Sequence, residues 1–228
     1  MATIAENWMS VQKRIGDACQ ASGRDPQEIT VVAVSKTVGK EQIVRAWDAG
    51  IRVFGENRVQ EAQAKADQID KPIVWHMVGH LQTNKVKTVL DFVSVIESVD
   101  SFRLAREIDK RAQKAVEIFI QVNTSDEKSK YGCEPADTLA LVEQIATLPH
   151  VRITGLMTIG AFLPDPEEVR PCFQRLARLK DEINAAHIAG VEINHLSMGM
   201  SNDFQVAIEE GATQVRLGRI LFGERPQM

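Results

Sequence analysis

The sequence has 228 residues, 44% of them hydrophobic and 25% charged, an ordinary globular composition that excludes wholesale disorder. At about 100–200 residues per domain this length makes one large domain or two small ones, and one domain of this size buries roughly 70–75% of its unfolded surface without disulfides or metal. The 27 basic and 31 acidic residues leave a net charge of −4 with no long run of like charges, which argues against a dedicated nucleic-acid binder.

Ile4, Trp8, Val11, Ile15 and Cys19 recur at spacings of three and four, which predicts one apolar stripe on an opening helix. Gly23 and Pro26 stop it, and ITVVAVSK (29–36) reads as a strand buried on both faces. The pattern then repeats: helix Lys40–Ala49, strand Ile51–Phe54, helix Val59–Ile69, strand Ile73–Val78, short helix Lys85–Leu90, strand Phe92–Ile96. Helix Phe102–Lys114 and strand Val116–Val122 follow, then helix Pro135–Leu148 and strand Arg152–Met157. A long helix Glu167–His187, strand Glu192–Leu196, helix Asp203–Glu210, strand Thr213–Leu217 and a last apolar turn Arg219–Phe222 complete the series.

Strands separated by helices imply βαβ units and a parallel sheet. About eight repeats favour a closed (β/α)8 barrel of the TIM type, an α/β fold, over an open doubly wound sheet with fewer strands. No linker divides the chain, so residues 1–228 read as a single barrel domain with an extra N-terminal helix. Cys19, Cys133 and Cys172 form no CxxC pair and fit buried or idle thiols in a reducing cytosol. No signal-peptide core and no membrane-length apolar stretch is present, so the expectation is a soluble cytoplasmic protein.

Barrels of this kind carry their chemistry at the C-terminal ends of the strands, with phosphate often bound after strands seven and eight. Lys36 ends the first strand, where partial desolvation makes an amine a better nucleophile toward aldehydes; a strand-end lysine equally snorkels to water or pairs with a carboxylate. After strand seven, Ser201 and Asn202 stand where a helix starts, either as an anion site or as an ordinary N-cap. Gly218, after strand eight, offers a second close backbone approach, and the two loops together suggest a phosphate cradle. Arg216 lies between Val215 and Leu217; pointing inward it needs a counter-charge or a ligand, pointing outward only a partner carboxylate. His76 and His80 lack a third ligand at metal-site spacing and read as core or hydrogen-bonding histidines, and no nucleotide-binding glycine loop is present. The segment 126–130 reads as a solvated loop able to cover the barrel mouth.

The stretches VAVSKT (32–37), FGENRVQE (54–61), WHMVGHLQTNK (75–85), QVNTSDEKSKYG (121–132), GLMTIG (155–160) and LSMGMSNDFQVAIEEGATQVRLGRILFG (196–223) resemble, in order and from end to end, the YggS/PROSC family of pyridoxal-phosphate homeostasis proteins. The resemblance implies a fold like the barrel domain of bacterial alanine racemases and pyridoxal 5′-phosphate held as a Schiff base on Lys36. It implies that Ser201, Asn202, Gly218 and Arg219 hold the phosphate, partly through backbone N–H groups, that Arg216 faces the pyridine nitrogen, and that Asn57 lines the pocket. His80 stands where other members often carry a different residue, and position 219 varies among members. The implied role is in vitamin B6 and amino-acid homeostasis, buffering the cofactor or carrying it to apo-enzymes.

An arginine beside the pyridine nitrogen disfavours protonating it and weakens the cofactor as an electron sink. The resemblance implies that racemases compensate with a second base, a tyrosine from a separate β-domain of a partner subunit. This sequence ends about ten residues after the eighth strand, and its one tyrosine, Tyr131, lies in the loop after strand five, as a lid residue or a plain surface residue. The reading is therefore a monomeric cofactor-binding protein without robust turnover. A weak pyridoxal-phosphate-dependent racemase, or a barrel forming a Schiff base with a metabolite, are the alternatives.

Overall fold

The opening helix α1 (Ile4–Ser22) begins at a reciprocal cap, in which the Thr3 hydroxyl accepts from the Glu6 amide and the Glu6 carboxylate accepts from the Thr3 amide. Gly23 ends it at φ 69°, a left-handed cap that costs glycine little. Its buried stripe is Val11, Ile15, Ala18 and Cys19, with Ile4 and Trp8 half-buried at the start. The computed structural model describes residues 2–127 and 130–223, so Lys128 and Ser129 of the 126–130 loop lie outside the described residues.

Eight strands alternate with helices from there. They are β1 (Thr30–Val34), α2 (Lys40–Asp48), β2 (Val53–Glu56), α3 (Val59–Ala66), β3 (Val74–Met77), α4 (Val86–Leu90), β4 (Val95–Val99) and α5 (Phe102–Arg111). The second half runs β5 (Val116–Gln121), α6 (Thr138–Ile145), β6 (Val151–Met157), α7 (Arg170–Ala185), β7 (His195–Ser197), α8 (Phe204–Glu209), β8 (Gln214–Leu217) and α9 (Arg219–Phe222). All neighbours pair in parallel, and β8 pairs with β1 to close the barrel. The expected fold class is what forms.

Three strands sit later than the sequence predicts. The Ile51 amide donates back to the Ala46 carbonyl of α2, so β2 opens only at Val53. Phe92 and Val93 donate their amides back to the Val89 carbonyl and finish α4, so the β3–β4 ladder opens only with the Ser94 amide on the Trp75 carbonyl. Asn184 of α7 takes both backbone groups of Ile193, which removes that residue from the sheet and delays β7 to His195. Predicted helices also shorten where a proline turn precedes them, at Pro135–Asp137 and Pro166–Val169.

The main core lies between sheet and helices, where Ala33, Phe54, Met77, Ile96, Ile118, Leu156, Leu196 and Val215 meet the apolar helix stripes. A smaller cluster of Val95, Phe119 and Met157 is separate from it and fills part of the barrel interior. Close approach between the second and third strand ends requires glycine at 79, where a Cβ would lie 2.5 Å from the Asn57 Cα and carbonyl oxygen.

Glycine substitutions separate these effects. Gly79→Ala should destabilise by roughly 1–3 kcal/mol through overpacking, lowering Tm at about 2–4 °C per kcal/mol. Gly16→Ala, in mid-helix with nothing within 4 Å of the added carbon, should stabilise by up to about 1 kcal/mol. Thermal melts check both, and an unchanged Tm for Gly79→Ala would contradict the packing.

Candidate functional site

A chain of hydrogen bonds through the barrel interior settles which way Arg216 points. Ser197 Oγ on β7 lies 2.6 Å from Glu97 Oε2 on β4, and those strands are not neighbours, so the bond crosses the interior. Arg216 Nη1 on β8 donates to the same Ser197 oxygen at 2.8 Å, and Nη2 donates to the Thr158 carbonyl at 2.6 Å. His76 Nδ1 on β3 lies 2.6 Å from Glu97 Oε1. Arg216 therefore points inward, and His76 has the hydrogen-bonding role expected of it.

The donor order in this chain is forced. A guanidinium only donates and a carboxylate only accepts, so the single Ser197 proton goes to Glu97 and its lone pair receives Arg216. Arg216 is 5% exposed and Glu97 fully buried, which makes the hydroxyl a bridge between two desolvated charges. Burial pushes the Glu97 carboxyl up, but the His76 hydrogen bond and the His76 and Arg216 charges outweigh it and hold the group below its usual range. Burial lowers the Arg216 pKa, with Glu97 and Asp203 opposing.

Pairing carries this orientation to the neighbouring strands, because paired residues of parallel strands share a face. Arg216 pairs with Val32, Val32 with Val53, and Val34 with Gly55. Lys36 and Asn57 follow the paired Val34 and Gly55 by two residues, just past the C-terminal ends of the adjacent strands β1 and β2. Ala33 pairs with Leu217, so Val34 and Gly218 each follow the last paired residues of β1 and β8. At the other side, the Ile220 amide lies 3.5 Å from Ser201 Oγ, so the loops after β7 and β8 meet. Lys36, Asn57, Ser201, Arg216 and Gly218 thus gather at the C-terminal end of the barrel. A cavity of about 1310 Å³ touches this corner at Val34, Thr37 and Gly218, walled on its far side by Thr3, Asn7, Gln42 and Arg45.

Two of the expected residues have exposed side chains. The exposed Asn202 turns its amide to the Pro164 carbonyl at 3.5 Å, and Arg219 is also exposed. Neither Ser201 nor Asn202 caps the following helix: Asp203 stands at the cap position, its carboxylate accepting from the Met200 amide at 2.5 Å. Gly199, at φ 89°, lets that loop turn against Phe204 and Ala207.

A polar layer that the sequence reading missed lies behind Lys36. Ser35 Oγ donates to Glu56 Oε1 at 2.6 Å, and Lys65 Nζ of α3 lies 2.7 Å from the Ser35 carbonyl, Glu56 Oε1 and Glu61 Oε1. Burial pushes the Glu56 carboxyl up against the opposing hydrogen bonds from Lys65 and Ser35. Above the mouth, Tyr131 is 59% exposed yet stacked on His80 at 4.0 Å between centroids, with His80 3.7 Å from Asp100. The sequence signal for Glu97 is a single charge within the otherwise uncharged run VSVIESV (93–99).

The family described as alanine racemase, N-terminal domain, matches residues 2–226. A curated relative from Aquifex aeolicus (strain VF5), named pyridoxal phosphate homeostasis protein, is 46% identical over 224 residues, covering 96% of this chain and 97% of its own. This chain belongs to the pyridoxal phosphate homeostasis protein family. Among solved structures, PipY of Synechococcus elongatus PCC7942 with PLP bound aligns at a TM-score of 0.84 and 33% identity, covering 97% of this chain and all of that one. An alanine racemase of Clostridium difficile 630 aligns at a TM-score of 0.72 and 15% identity over 94% of this chain and 55% of its own, a likeness of fold. Among the described residues, no helix is long and apolar enough to cross a membrane.

The buried relay predicts how stability responds to acid. A carboxylate whose folded pKa is depressed stabilises the fold above its ordinary pKa, here 4.5, and that contribution is lost as pH falls through the folded value. Glu97→Gln should therefore flatten the acid limb of stability below pH 4.5. At neutral pH it strands the Arg216 charge, costing about 3–5 kcal/mol. Urea titrations across pH check this, and a variant with the wild-type acid limb would contradict it.

Proposed function

We propose that the protein holds pyridoxal 5′-phosphate as a Schiff base on Lys36 and serves as an intracellular buffer or carrier of this cofactor, delivering it to apo-enzymes, without robust turnover of its own. The observation that carries the reading is the inward, buried, charge-balanced Arg216 at the end of the barrel where Lys36 also stands. When bound, the cofactor supplies an aldehyde that condenses with an amine and a pyridine ring that serves as an electron sink.

The residues present fit this ligand. A buried guanidinium suits a ring nitrogen that accepts a hydrogen bond and stays unprotonated, because a second positive charge beside Arg216 is disfavoured. Lys36, just past the end of the adjacent strand, suits the aldehyde. The meeting of the loops at Ser201 and Ile220, with Gly218 beside them, suits a phosphate taken by a hydroxyl and backbone N–H groups. Asn202 and Arg219, whose side chains are exposed, contribute to that cradle through their backbone. Asn57 lines the ring side of the pocket. PipY, at 33% identity over nearly the whole chain, carries PLP in its own structure, which supports the same cargo here.

Absence of turnover follows from the electronics and from the second base. An unprotonated ring is a weak electron sink, and the sequence offers one tyrosine, Tyr131, which is largely exposed and stacked on His80. The working form we infer is a cytoplasmic monomer with residues 1–228 as one cofactor-binding domain, engaging neither nucleic acid nor membrane.

Loaded protein should be yellow, and borohydride reduction should bleach it and leave the added mass on Lys36 by peptide mass spectrometry. Lys36→Ala should give no such adduct. Ser201→Ala and Gly218→Val should each weaken cofactor binding by about tenfold or more, the scale of one hydrogen bond to a charged group; wild-type affinity in both would contradict the cradle. Incubation with single amino-acid enantiomers should leave optical activity unchanged, and a loss that vanishes in Lys36→Ala would overturn the non-enzymatic reading.

A further inference from the structure

Lys36 does not sit on regular strand. The Val38 amide donates to the Ser35 carbonyl at 2.9 Å, closing a four-residue turn with Lys36 and Thr37 at its centre. Thr37 has φ 64°. Among the two central residues only Thr37 is left-handed, the signature of a type II turn, whose third position normally takes glycine. A β-branched residue there is strained and persists only when its surroundings impose the conformation.

The surroundings that impose it come from α3. Glu61 Oε1 accepts the Thr37 amide at 2.5 Å, the bond that the strained residue would otherwise be free to turn away. Lys65 Nζ reaches the Ser35 carbonyl at 2.7 Å, gripping the first residue of the turn, and holds Glu61 and Glu56 at the same distance. A lysine ammonium has three donors, and these three acceptors use all of them. The side chain of Lys65 is 11% exposed and that of Glu56 1%, so the clasp is shielded from competing water. Ser35 and Glu56 follow the outward-facing Ala33 and Phe54 by two residues, which puts the clasp on the helix side of the sheet.

We propose that Lys65, acting with Glu61, is a positioning residue that holds the strained Thr37 turn and so aims the Lys36 amine at the cofactor aldehyde. The inference rests on the cofactor reading above. In the step concerned, the neutral Lys36 nitrogen attacks the aldehyde carbon, the C=O bond is replaced by C=N, and the oxygen leaves as water with the two amine protons. Lys65 takes no part in that bond-making. It fixes the geometry from which the attack starts.

The test follows condensation of pyridoxal phosphate with the full-length protein by absorbance, and non-covalent affinity by titration in the Lys36→Ala background. Lys65→Met should slow condensation about tenfold, the scale of releasing one strained residue, while leaving affinity in the Lys36→Ala background unchanged. Thr37→Gly removes the cost of the left-handed turn, so adding it to Lys65→Met should restore most of the rate. Glu61→Gln, a smaller change on a more exposed side chain, should slow condensation in the same sense and serves if Lys65→Met does not fold. An equal loss of affinity in the Lys36→Ala background, or no rescue by Thr37→Gly, would reduce Lys65 to a structural role and overturn the proposal. Failure of the wild-type protein to form a reducible adduct on Lys36 would instead overturn the cofactor reading and this inference with it.

Discussion

An arginine inside a barrel is expensive unless its charge is answered, and the Arg216–Ser197–Glu97 chain is the answer on which the site depends. Removing two full charges from water costs several kcal/mol each, recovered only where geometry is good and the remaining donors and acceptors are filled. Here His76 fills the second Glu97 oxygen and the Thr158 carbonyl fills the second Arg216 nitrogen. The chain links β3, β4, β7 and β8 and the end of β6 through the interior, so the guanidinium has little freedom to turn elsewhere. The main apolar core, lying outside the sheet, stabilises the barrel without deciding what faces its axis.

This constraint shapes the chemistry. A cation that is fixed, dry and charge-balanced resists a second positive charge beside it. Such a floor suits holding a reactive aldehyde more than labilising bonds beside it. The lysine end of the site is built differently, by an ammonium–carboxylate clasp on the helix side of β1 and β2. Both devices are buried polar clusters placed where ordinary packing would leave the functional side chain without a defined direction.

The alternation of strand and helix, the closed barrel and the gathering of Lys36, Asn57, Ser201, Arg216 and Gly218 at one end were legible because period and strand-end position are local properties of the chain. What was not legible depended on contacts between distant residues. The direction of Arg216 rests on Glu97, more than a hundred positions away, and the start of β7 rests on Asn184 capturing Ile193 from a helix. The left-handed Thr37 was hidden because nothing in SKT announces a strained turn, and the residues that impose it, Glu61 and Lys65, read in sequence only as a helical salt-bridge pair. The Asn202 side chain turns to the Pro164 carbonyl, a contact that spacing alone could not reveal.

The buried relay fixes Arg216 inside the barrel, and under the proposed function a cofactor ring bound beside it stays unprotonated. The nitrogen-15 chemical shift of ring-labelled pyridoxal phosphate bound to the wild-type protein tests this most directly. The account predicts the shift of an unprotonated, hydrogen-bonded pyridine across the neutral pH range. The shift of a protonated pyridinium in the wild-type complex would contradict it.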